Sequence, residues 1–69
     1  MELNDKEKSV IITEKIKNYQ AQVYSLKLDL ACAEALDDEQ WKERIRESTK
    51  RLMQLIEVLE TELNTVSNK

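Results

Sequence analysis

The chain has 69 residues, a net charge of −3, one Cys and no Gly, Pro or His, which leaves room for one small domain and removes several chemistries. Without Gly or Pro a multi-stranded sheet has almost nothing to turn on, a single cysteine cannot close an internal disulfide, and the missing histidines remove the usual zinc sets. With 14 acidic against 11 basic residues the summed field opposes nucleic acid and anionic lipid, and no run approaches the roughly 18 to 20 apolar residues of a membrane span.

A first helix is expected at about 5–36. Asn4 followed by Glu7 fits a capping box, in which the Asn side chain accepts from the third helical N–H and the Glu reaches back to the cap. The stretch Met1 to Ser9 is polar and charged rather than a basic stretch leading into an apolar core, so a cytoplasmic protein is the expectation. From there Ile12, Ile16, Tyr19, Val23, Leu26, Leu30 and Ala33 recur in steps of four and three, the spacing of a coiled-coil-like seam.

The turn is expected at about 37–38. Three acids in succession, Asp37, Asp38 and Glu39, sit badly at the negative end of one helix and well at the positive start of the next. Taking Asp37 as N-cap puts Gln40 at the third helical position of a capping box and makes Leu36 and Trp41 a hydrophobic staple.

A second helix is expected at about 39–66. Ile45, Thr49, Leu52, Ile56, Leu59, Leu63 and Val66 repeat the four-three spacing, with Met53 and Leu55 widening the stripe. Two segments of matching length across a short connection predict an all-α, antiparallel two-helix hairpin filling 1–69 as a single domain. Its core is expected from Ile12, Ile16, Tyr19, Val23, Leu26 and Leu30 against Trp41, Ile45, Leu52, Ile56, Leu59 and Leu63.

The two helices are not equivalent. The first carries a second apolar patch, Val10, Ala21, Tyr24, Leu28, Ala31 and Ala35, more than about 100° from its main seam. One neighbour cannot cover both sides, so a second partner is expected: another helical, chaperone-like protein, or a second copy completing a bundle. A chain this short buries only about 60% of its unfolded surface, which also points to a partner as stabiliser.

Cys32 borders this patch, and neither Lys27 nor Asp29 gives it the cationic setting that activates a thiol, so it reads as a small packing residue. The stretch from Lys42 to Arg51 holds Lys42, Arg44, Arg46, Lys50 and Arg51 against Glu43 and Glu47, with Glu47 and Arg51 spaced for an i,i+4 pair; it reads as a solvated face. No enzyme is expected: there is no His base, no glycine-rich phosphate loop and no carboxylate at an apolar site. No cofactor, metal or small-molecule substrate is implied.

The segment Asp38-Glu39-Gln40-Trp41, with the polar stretch Arg46-Glu47-Ser48 after it, resembles the turn of the needle co-chaperones of bacterial type III secretion, which are small helical hairpins. In that family an acid or Pro, a polar residue and Gln precede Tyr or Phe, where this chain has Trp, and some members carry a Gly near the turn that is absent here. The resemblance implies binding to a tetratricopeptide-like chaperone that keeps the needle subunit monomeric in the cytoplasm until export. The turn Leu36-Asp37-Asp38-Glu39-Gln40 also looks like that of the plasmid repressor-of-primer hairpins, which implies the alternative of a homodimeric four-helix bundle, an RNA-binding regulator or a phage or plasmid accessory factor. The first helix offers such a function only scattered Lys6, Lys8, Lys15, Lys17 and Lys27.

Overall fold

The computed structural model describes residues 2–67. Two helices, α1 (Asp5–Ala35) and α2 (Glu39–Ser67), pack against each other as an antiparallel hairpin. Both ends of both helices fall within one residue of their expected positions.

α1 starts as its sequence dictates. The Asn4 side chain accepts from the Glu7 amide at 2.8 Å while the Asn4 amide donates to the Glu7 carboxylate at 3.1 Å, so two otherwise unpartnered donors are satisfied reciprocally. Asp5 and Glu7 add negative charge at the positive end of the helix.

The turn departs from the expected register by one residue. Asp37 lies in the left-handed region at φ 55, and around it the amide of Asp37 donates to the Glu34 carbonyl at 3.1 Å and that of Asp38 to Ala33 at 3.0 Å. This pair of reversed bonds is the Schellman ending of a helix, a position usually held by Gly because a Cβ costs energy there. Asp38, rather than Asp37, is then the N-cap of α2, its carboxylate accepting from the Trp41 amide at 3.0 Å. Gln40 therefore falls one position short of closing a capping box. Leu36 is not placed to form a staple with Trp41; it is 71% exposed, whereas Trp41 is half-buried.

Lys42 braces this connection. Its ammonium lies 2.9 Å from the Glu39 carboxylate and 3.8 Å from that of Asp37. The hydrogen bond to Glu39 is the main cause of a pKa raised above the ordinary 10.5, with the charges of Glu39, Asp37 and Glu34 adding to it against a smaller opposing effect of burial.

Beyond the turn the seams close as their spacing demands. Counting in opposite directions from the turn sets Leu30 level with Ile45, Leu26 with Thr49, Val23 with Leu52, Tyr19 with Ile56, Ile16 with Leu59 and Ile12 with Leu63. The grooves on the two sides of the seam agree, bringing Val23 and Leu30 alongside Ile45 and Ile56 on one side and Leu26 alongside Ser48 and Leu52 on the other. Every expected core residue is buried or half-buried, but among the described residues only Ile16, Ala33 and Ile45 are fully so. Ala33, at 0% exposure, lies one turn before the chain reverses. Thr49, the polar member of the α2 seam, bonds its hydroxyl to the Ile45 carbonyl at 2.8 Å and so leaves no unsatisfied group inside.

A core one seam wide makes a rod. The hairpin measures 50 × 18 × 14 Å with a radius of gyration of 15.8 Å, against about 11 Å for a compact chain of this length. Its accessible surface is 5695 Å², where a compact protein of the same mass exposes roughly 4,500 Å². The difference, on the order of 1,000 Å², exceeds the roughly 800 Å² that one partner contributes to a standard protein–protein interface.

Candidate functional site

The outward face of α1 is the first place where this surplus is apolar. Val10, Ala21, Tyr24, Leu28, Ala31 and Ala35 are all exposed, Tyr24 at 63% and Leu28 at 53%. At 3.6 residues per turn they centre roughly 150° around the helix from the seam that faces α2. The hairpin thus brings the six expected residues onto one face and leaves that face without a neighbour.

Their spacing is more regular than a patch. Lys17, Ala21, Tyr24, Leu28, Ala31 and Ala35 step by four and three, so α1 carries two coiled-coil rows back to back. The alanines let another helix approach closely, while Tyr24 and Leu28 supply the larger side chains that dominate the energy of such contacts. The free thiol of Cys32 is exposed at the edge of the row.

The second feature lies on α2 and was not legible as a unit in the sequence. One side of the hairpin opens into a groove of ≈ 930 Å³, with Val23, Leu30, Ile45 and Ile56 in its floor. Its α2 side carries Thr49 and Gln54 and, again stepping by four and three, Arg46, Lys50, Met53, Glu57 and Glu60, with two cations before Met53 and two anions after it. The signal was present as spacing among charged residues, whereas a search for apolar periodicity passes over it. The opposite groove is smaller, ≈ 380 Å³, and is lined by Leu26 and Leu52 together with Gln22, Ser25, Ser48 and Arg51.

The basic stretch is partly neutralised by acids of α2 and of the turn. Arg46 lies 3.4 Å from Glu43, and Lys42 pairs with Glu39 and Asp37, but the expected Glu47–Arg51 pair does not form. Among the described residues no group of three or more His, Cys, Asp or Glu side chains could hold a metal ion, and no helix is long and apolar enough to cross a membrane.

No known protein family, curated protein or solved structure matches the chain.

Proposed function

We propose that the chain is a non-catalytic, cytoplasmic protein-binding module that docks an amphipathic helix of another protein along the outward row of α1. The observation that carries this reading is the exposure of Tyr24 and Leu28 between small alanines, on a face the hairpin itself cannot cover. A soluble hairpin that left such a row bare would hold apolar surface in water for no gain in its own stability. The excess of surface over a compact chain is enough for at least one interface per molecule.

In its most specific form the partner is a tetratricopeptide-like chaperone, itself built of helices, and this chain is the co-chaperone that stabilises it while it holds a type III secretion needle subunit. That form rests on the turn Asp38-Glu39-Gln40-Trp41. Replacing Leu28 with Asp tests the face: complex formation should be lost while the helical circular dichroism stays near that of the parent, because the seam toward α2 is untouched. An unaltered complex would remove this row from consideration.

A further inference from the structure

We infer that the charged row of α2 is a self-recognition surface, through which two copies of the hairpin pair α2 against α2 in antiparallel orientation. The row reads Arg46, Lys50, Met53, Glu57, Glu60 at the spacing of one helix face. Its charge order is antisymmetric about Met53. A two-fold axis through Met53 therefore sets Arg46 against the partner's Glu60 and Lys50 against the partner's Glu57, and repeats both contacts by symmetry. A parallel pairing would instead oppose like charges along the whole row, so the pattern selects one orientation as well as one partner.

The groove supplies the apolar part. Its floor, with Val23, Leu30, Ile45 and Ile56, is flanked by Met53, which is 59% exposed. In the antiparallel pair the two Met53 side chains meet on the axis beside the mouths of the two grooves, adaptable side chains forming an apolar centre, with the charged contacts forming the rim around it. An isologous contact of this kind closes at two copies. Arg46 already lies 3.4 Å from Glu43 in its own helix, but that pair is exposed and exchanges at little cost for a contact across the interface.

The row lies roughly 115° around α2 from the seam, and the apolar row of α1 points away from α2. Self-pairing on α2 therefore leaves both copies of the α1 row free. The product is a dimer with two outward docking faces, and its existence does not depend on what binds those faces.

Sedimentation equilibrium of the full chain over low to high micromolar concentration tests this, with circular dichroism to verify folding. The parent should dimerise, and should do so less tightly as salt is raised. The double variants Arg46→Glu/Lys50→Glu and Glu57→Lys/Glu60→Lys, which make the row all negative and all positive, should each raise the dimer dissociation constant by about tenfold or more. Mixed in equal amounts the two should pair again. A parent that stays monomeric throughout, or a dimer that survives either double variant, would overturn the proposal; survival combined with loss in Leu28→Asp would move self-association to α1.

Discussion

The amide of Asp38 reaches back over Asp37 to the carbonyl of Ala33 at 3.0 Å, closing α1 with the same residue whose carboxylate caps α2. The connection between the helices is therefore about as short as two caps allow, and its one strained position is Asp37 at φ 55. Replacing Asp37 with Gly relieves the Cβ there and should stabilise the hairpin by about 0.5 to 1 kcal/mol, net of the added freedom of the unfolded chain. The lost 3.8 Å contact to Lys42 involves a carboxylate that is 89% exposed and subtracts little. Urea unfolding followed by circular dichroism measures it; a lower midpoint for Asp37→Gly would mean that the left-handed turn is not strained.

Removing the Asp38 side chain acts in the opposite direction. Asp38→Ala leaves the Trp41 amide without its acceptor and should cost about 1 kcal/mol, similar to Asn4→Ala at the start of α1. The same unfolding series separates this from the alternative register: if Asp37 were the cap, Asp37→Ala would be the costlier change of the two.

Lys42 gives the fold a dependence on alkaline pH. Its hydrogen bond with Glu39 raises its pKa above the 10.5 of the unfolded chain, so its stabilising effect is complete below that value and is lost as pH rises through the higher folded one. The parent should therefore lose more stability than Lys42→Met between about pH 10 and 12. Thermal melts of both proteins across that range, compared by difference, report it; parallel curves would show that the bond contributes nothing.

Substitutions in the seam between the helices and on the outward row of α1 should have different effects on stability. Ile45→Ala, at a residue 3% exposed, removes contacts from a core only one seam wide and should cost about 2 to 4 kcal/mol, a large share of the stability of so small a domain. Ala33→Leu should cost about 1 to 3 kcal/mol by overpacking a fully buried position. Leu28→Ala on the outward row should change the unfolding midpoint hardly at all. A comparable loss at Leu28 would place that side chain in the fold rather than at a docking face.

Most of this architecture was legible because one rule, the four-three recurrence of apolar residues, specifies helix, seam and strand of contact together. The seam from Ile12 to Ala33 and from Ile45 to Val66, and the bare row from Ala21 to Ala35, follow from it directly. The turn was legible only to within a residue. Three adjacent acids can each cap a helix, and the left-handed position that decides among them is normally marked by a Gly, which this chain lacks; with the register moved to Asp38, Leu36 turns outward instead of meeting Trp41. The α2 row is not marked by apolar recurrence, because four of its five members, Arg46, Lys50, Glu57 and Glu60, are charged. The occupant of the α1 row is not written in this chain's sequence, since an apolar row encodes the shape of its complement but not the chain that provides it.

The most direct measurement places a photoreactive side chain at position 28 or at position 53 and irradiates the cells that express the protein. A probe at 28 should give an adduct with a different, larger protein, and one at 53 an adduct of twice the chain's own mass. If the probe at 28 yields no adduct, or only one of twice the chain's mass, α1 has no foreign partner and the protein-binding function proposed for this hairpin is contradicted.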